Sequence, residues 1–261
     1  MILRGVCMLL FALSASATQP VDMDEVACAL CHFEQGDDFS ESVHYQRGLI
    51  LCNDCHGGLP FEADDLVAKA EGTGFIGRPS REQIAGLCAR CHTASEIHFT
   101  SGPHGNWRLM DNPTCITCHH NHYVLDASPV LLQSKCTLCH DAGSDELQRW
   151  DRIVETLDRQ RQRVVAVQTR LDTLGPEARA LRRALPMVEF AHGALREAET
   201  GTHGLDTALI AAKVEESEQE LRKAEQSMTD YFADLRQRKW IAAILWLFVV
   251  INVALLWVRR K

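Results

Sequence analysis

The chain has 261 residues, with 35 acidic against 27 basic side chains and a formal net charge of −8. That balance argues against a nucleic-acid partner, whose phosphates demand a basic surface. Of its 11 cysteines, ten fall in five Cys-x-x-Cys pairs, and every pair is followed at once by a histidine.

Residues 1–17 read as a secretory signal. Arg4 supplies the positive start, Gly5–Leu13 an apolar run too short to span a bilayer, and Ala15-Ser16-Ala17 a small-residue cleavage site. Cleavage is expected after Ala17; the alternative is an uncleaved N-terminal anchor. The eleventh cysteine, Cys7, sits inside this segment.

Residues 18–145 carry the motifs. They are Cys28-Ala-Leu-Cys31-His32, Cys52-Asn-Asp-Cys55-His56, Cys88-Ala-Arg-Cys91-His92, Cys115-Ile-Thr-Cys118-His119 and Cys136-Thr-Leu-Cys139-His140. Each has the form of a c-type haem attachment site, in which two thiols bond the porphyrin vinyl groups and the next histidine is the proximal iron ligand. A zinc ribbon or a disulfide framework would explain the cysteine pairs. Neither gives a reason for a histidine after each one. Five covalent haems are therefore the expected cofactors. The motif starts lie 24, 36, 27 and 21 residues apart, too irregular for a solenoid. With about 26 residues per haem, so small an allocation cannot build a normal core, and the porphyrins are expected to supply it. Gly57-Gly58, Gly72, Gly74, Gly77, Pro79, Gly102-Pro103 and Pro113 predict a loop-rich segment with short helices. One such helix is predicted at Ser80–Cys88, with Ser80 as N-cap and Gln83 three residues on.

The ligand on the far side of each iron decides between a closed electron carrier and an open catalytic site. Seven histidines remain after the proximal five: His44, His98, His104, His120, His122, His192 and His203. His44, His104 and His122 are the leading distal candidates. His98, His120 and His203 follow, the last lying between helices beside Gly204. His192 falls on a helix seam, and Met110 has a packing role. This surplus implies bis-histidine haems, with some of the seven merely solvated.

From residue 146 to 239 cysteine disappears and helix formers dominate. Trp150, Ile153, Leu157, Gln160, Val164, Val167, Leu171 and Leu174 alternate steps of three and four, a seam with one polar break. Gly175-Pro176 is expected to end that helix. Ala178, Leu181, Leu185, Val188, His192 and Leu195 predict a second seam, with a kink at Pro186. After a break at 200–204, Ile210, Val214, Ser217, Leu221, Ala224, Met228, Tyr231 and Leu235 predict a third. A helical hairpin or three-helix bundle, a coiled-coil homodimer and an extended stalk all fit this pattern. No breaker separates the third helix from Trp240–Val258, 19 residues with Asn252 as the sole polar member. At about 1.5 Å per residue that stretch matches a bilayer core. Residues 259–261, Arg-Arg-Lys, then form a cytoplasmic tail in keeping with the positive-inside rule. The expected fold class is mainly α: a loop-rich multihaem domain, a long helical hairpin or coiled coil, and one transmembrane helix.

Charge divides along the same line. Residues 18–145 hold 18 acidic and 7 basic side chains, and residues 146–239 hold 17 and 16. An acidic haem segment favours a basic redox partner.

Ser42-Val43-His44 ahead of Cys52-Asn-Asp-Cys55-His56-Gly-Gly resembles multihaem c-type cytochromes of the class III and nitrite-reductase-related group. So do Gly74-Phe-Ile-Gly-Arg-Pro-Ser80 and Cys118-His119-His120-Asn121-His122. The resemblance spans 28–140 and implies distal roles for His44 and His122. Thr202-His203-Gly204-Leu205 faintly resembles the Gly-x-His segment of the pentahaem nitrite reductases. The chain has no Cys-x-x-Cys-Lys variant, the usual mark of the nitrite-reducing haem, and its anchor is C-terminal where quinol-oxidising relatives carry an N-terminal one.

The expectation is a pentahaem cytochrome on the periplasmic side of a bacterial inner membrane. It would relay electrons between a membrane or quinone-linked donor and a periplasmic redox partner, more a carrier than an enzyme. The alternatives are a quinol dehydrogenase subunit, a nitrogen- or sulfur-oxyanion reductase with one open haem, and a structural subunit that assembles through its helices.

Overall fold

The computed structural model describes residues 21–48, 50–106, 112–126, 128–173 and 179–260. The signal segment with Cys7 and its cleavage site, Met110, and the Gly175-Pro176 stop with Leu174 and Ala178 lie outside them. The described residues are mainly helical and contain no strand.

Among the described residues nine short helices precede residue 145: α1 Ala27–Cys31, α2 Phe33–Ser40, α3 Val43–Gln46, α4 Cys52–His56, α5 Asp65–Ala68, α6 Arg81–Ala89, α7 Thr93–Ser101, α8 Cys115–His119 and α9 Pro129–Cys136. Local polar residues start several of them. Ser42 accepts the His44 N–H, Asp64 accepts the Leu66 N–H, and Gln83 accepts the Ser80 N–H at 2.7 Å. These are capping interactions that satisfy otherwise orphaned donors. The helix predicted at Ser80–Cys88 thus forms one residue later.

Three long helices follow: α10 Asp145–Asp172, α11 Arg179–Gly201 and α12 Thr207–Arg259. They pack on one another within one chain. The predicted seam of α10 is its buried face from Trp150 to Leu171, with Leu147 added at the start. Gln160, the polar break, donates to Ser217 Oγ at 2.9 Å, and Ser217 donates to the Ala191 carbonyl at 2.8 Å. Both side chains are buried and satisfied, so the break costs little. The α11 seam differs from expectation. Ala184, Val188, Ala191, Leu195 and Ala198 are buried, while Leu185 and His192 are only half-buried. Alanines let the helices approach closely, a signal that a search for large apolar residues passes over. Pro186 lies inside α11 without ending it.

A 3₁₀ turn at Thr202–Gly204 and Leu205 at φ 51° reverse the chain, and Asp206 caps α12 by accepting from Ala208 and Leu209. Burial on α12 ends at Met228, and the helix continues without interruption to Arg259. Its C-terminal stretch is long and apolar enough to cross a membrane and is fully exposed in the isolated chain.

By contacts the chain forms two compact units, Met1–Leu87 with Cys115–Ser128, and Cys88–Thr114 with Pro129–Lys261. The first unit holds the first, second and fourth motifs. The second unit holds the third and fifth together with the bundle.

Candidate functional site

Each motif winds into a helical turn that sets its histidine one turn beyond its first cysteine. The N–H groups of His32, His92 and His140 donate to the carbonyls of Cys28, Cys88 and Cys136, each at 2.9 Å. The other two motifs coincide with α4 and α8. Residues four apart share a helix face, so the first thiol and the imidazole of each motif point the same way. None of the ten thiols is in a disulfide. Burial, and then the nearby Cys28 thiol, push the Cys52 thiol up to about 11, so it is a neutral thiol at pH 7. Burial also raises Cys136.

In the first unit, residues 73–77 fold back over the second motif. Gly58 N–H donates to Thr73 and Ile76 N–H to His56, both backbone carbonyls. Gly57, at φ 68°, lies so close to the Gly74 carbonyl that a Cβ could not fit. The His56 ring nitrogen Nδ1 sits 2.8 Å from the Gly77 carbonyl, which fixes it as the donor and leaves Nε2 for a metal. The His122 ring faces His56 with 6.0 Å between centroids and 27° between planes. Burial, and then the neighbouring His56, lower the His122 pKa and hold it neutral.

His44 lies in the same unit, half-buried on α3. That helix is tied to the segment after the fourth motif by Val43 N–H donating to the Val124 carbonyl and by an Arg47–Asp126 ion pair of 3.1 Å. His120 follows His119 at φ 63°, the left-handed position that glycine fills after His56, and its side chain is exposed. His32 and the thiol of Cys31 are exposed at the first motif, whereas His119 is half-buried.

In the second unit, the His104 and His140 rings face each other with centroids 6.2 Å apart and planes at 45°. Burial, and then His140, lower the His104 pKa. Glu146, in the first turn of α10, stands 3.8 Å from His140 Nδ1. The third motif leads into α7, which packs on the turn between α11 and α12. A Cβ on Gly102 would meet Gly204 Cα at 2.8 Å, and Gly204 in turn lies against the His98 backbone. His203 sits in that turn, half-buried, with Nδ1 2.9 Å from the Thr200 carbonyl. Burial is the main cause of its lowered pKa, the Thr200 carbonyl opposes it, and His98 and His92 add to it. His192 is half-buried on the α11 bundle face, remote in sequence from any motif.

The donor set suits a covalently held porphyrin. Each motif offers two thiols and an imidazole on one turn, and the Nδ1 atoms of His56 and His203 are engaged by the Gly77 and Thr200 carbonyls. Several apolar side chains of the motif-bearing segment are open: Leu30 is 63% exposed, Phe33 65%, Leu66 79% and Leu138 67%. Such a surface is what a flat apolar ring covers. Among the described residues no three His, Cys, Asp or Glu side chains converge as a bare-ion site would require. The sequence reading missed two features, the fold-back of 73–77 on His56 and the Gly102–Gly204 contact. The glycine run Gly72, Gly74, Gly77 was the visible signal for the first. Nothing local marks the second, because its partners lie about a hundred residues apart.

A scan against protein-family models, a search of curated proteins and a search of solved structures each returned no match.

Proposed function

We propose that the chain is a membrane-anchored pentahaem c-type cytochrome that carries electrons on the periplasmic side of a bacterial inner membrane. The observation that carries this reading is the five-fold Cys-x-x-Cys-His motif, each copy wound so that a thiol and the imidazole share one face. The proximal ligands are His32, His56, His92, His119 and His140. Distal ligands come from His44, His98, His104, His120, His122 and His203, and His203 serves the haem of the third motif. Bound in this way the haems supply one-electron transfer, and two imidazoles on an iron close it to substrate and favour a low potential. That supports a carrier over an oxyanion reductase.

The length of α12 supports a protein as the electron partner of the second unit's haems. From Thr207, beside the His203 turn, to Trp240 is a single helix of 33 steps, about 50 Å at 1.5 Å per residue. Tunnelling falls steeply with distance, so a quinol in the bilayer could not reduce a haem at that turn in one step. A partner that rises from the membrane, or a soluble one with a basic face, could.

Haem staining of a denaturing gel and a pyridine haemochrome assay should give five covalent haems per chain, and fewer would refute the count. Resting ferric protein should show only low-spin EPR signals. A stoichiometric high-spin signal would favour the reductase. Reduction by menaquinol analogues in proteoliposomes, without added protein, is expected to be negligible. Rapid reduction would favour the quinol dehydrogenase.

A further inference from the structure

We infer that His122 is the distal ligand of the haem held by Cys52, Cys55 and His56, and that His104 is the distal ligand of the haem held by Cys136, Cys139 and His140. This deepens the cytochrome reading and rests on it.

The argument begins with ring separations. An iron between two imidazoles has a metal–nitrogen bond of about 2 Å on either side, and each nitrogen lies about 1.1 Å from its ring centroid, so the centroids stand about 6.2 Å apart. The two facing pairs have separations of 6.0 and 6.2 Å. Each separation therefore equals that of two imidazoles sharing one metal. The members of each pair are far apart in sequence, 66 residues for His56 and His122 and 36 for His104 and His140. Chain proximity therefore does not account for the match.

The second observation is how the four rings are held. His56 Nδ1 is committed to the Gly77 carbonyl, so Nε2 is the atom left to bind in that ring, while Glu146 stands 3.8 Å from His140 Nδ1. Neither His104 nor His122 makes a hydrogen bond to a described residue, although each is half-buried.

The pairing also orders the haems. His122 follows His119, the proximal ligand of the fourth motif, by three residues, which span at most about 11 Å. The haems of the second and fourth motifs must then be neighbours in the first unit. In the second unit α7 runs from His92 towards His104, nine helical residues or about 14 Å. The haems of the third and fifth motifs are neighbours there. In both units the segment after one motif's histidine delivers the distal ligand of another motif's haem, so ligand exchange between motifs builds the wire.

The test uses the full-length holoprotein with His122→Met and His104→Met, each first assayed for five covalent haems. In each variant one haem of five should change, either gaining the far-red thioether–iron band and a higher potential or becoming high-spin. The other four should keep their spectra and potentials. In a Cys52→Ser/Cys55→Ser background, His122→Met should have no further effect, and His104→Met should be equally silent in Cys136→Ser/Cys139→Ser. A methionine signal that persists in the matching background overturns the pairing, as does a variant in which all five haems are unchanged. If the four-haem backgrounds do not fold, an experimental map of the wild-type holoprotein decides. His122 and His104 must bond the irons of the second and fifth motifs, and density joining either to another iron overturns the assignment. Wild-type protein without covalent haem would refute the underlying reading, whereas five haems with other partners would refute only the pairing.

Discussion

Two regions of this chain reach helical structure by different means. The bundle of α10, α11 and α12 buries a continuous cluster of apolar side chains from Trp150 to Met228 and closes around a satisfied Gln160–Ser217–Ala191 hydrogen-bond chain. Among the described residues of 21–144 the buried apolar side chains are Val26, Phe39, Ala68 and Ala85. Large residues such as Phe33 and Leu66 stay open there. Helices of four to nine residues are marginal in water without packing. The bundle's sequence therefore specifies its own core, and under the proposed reading the haems supply that of the motif segment.

The strongest way to break this comparison is to withhold the haems. If the full-length chain is produced without covalent haem attachment, the motif segment should lose its tertiary order entirely while the bundle helices persist. Far-UV circular dichroism should keep the signal of the long helices, and limited proteolysis should cut throughout 21–144 but spare 147–228. An apo-chain resistant in its motif segment would show that the segment has a core of its own.

The next test strikes the bundle. Leu221 is completely buried in the cluster. Leu221→Ala deletes three buried carbons and should cost about 3 kcal/mol, measured by denaturant unfolding of the long helices. The first unit's haem spectra should not change, since their ligands come from other residues. If they shift together with bundle stability, the two regions are not energetically separate.

A third variant tests where the regions join inside the second unit. Gly102→Ala would press a Cβ against the Gly204 backbone, which cannot yield as a side-chain tip can. The expected cost is about 2 kcal/mol. The diagnostic effect is loss of low-spin ligation at the haem of the third motif, because α7 and His203 would be forced apart. An unaltered EPR spectrum would separate His203 from that haem.

How much of this was legible beforehand follows the same division. The α10 seam reads directly from Trp150 to Leu171, since large apolar residues at steps of three and four have one physical solution. The α11 seam was read in part: Val188 and Leu195 are buried as expected, whereas Ala184, Ala191 and Ala198 went unnoticed because each buries little area individually. The proposed proximal ligands stand in five local motifs. The facing of His56 with His122, and of His140 with His104, was not legible, because it depends on loop paths fixed by contacts such as those of residues 73–77. Spacing alone made His104 and His122 candidates but could not say for which motif.

The smallest effect expected concerns charge on the bundle surface. Glu225 receives a two-pronged contact from Arg163, with Nη1 donating to Oε1 at 3.1 Å and Nη2 to Oε2 at 2.6 Å, and a further bond from Arg170 at 2.9 Å. The Arg163 hydrogen bonds are the main cause of its depressed pKa, and burial opposes them. A carboxyl depressed in the folded state stabilises the fold above its unfolded pKa, and loses that effect as pH falls through the folded value. Glu225→Gln should therefore cost about 1 kcal/mol at pH 7, at the upper end for a partly exposed pair because the geometry is bidentate. The difference between wild type and variant should shrink once pH drops below the ordinary carboxylate range, and should diminish in high salt. An undiminished difference at low pH would mean that Glu225 acts through packing of its stem. Ion pairs would then contribute little to the bundle, and its stability would rest on the apolar cluster alone.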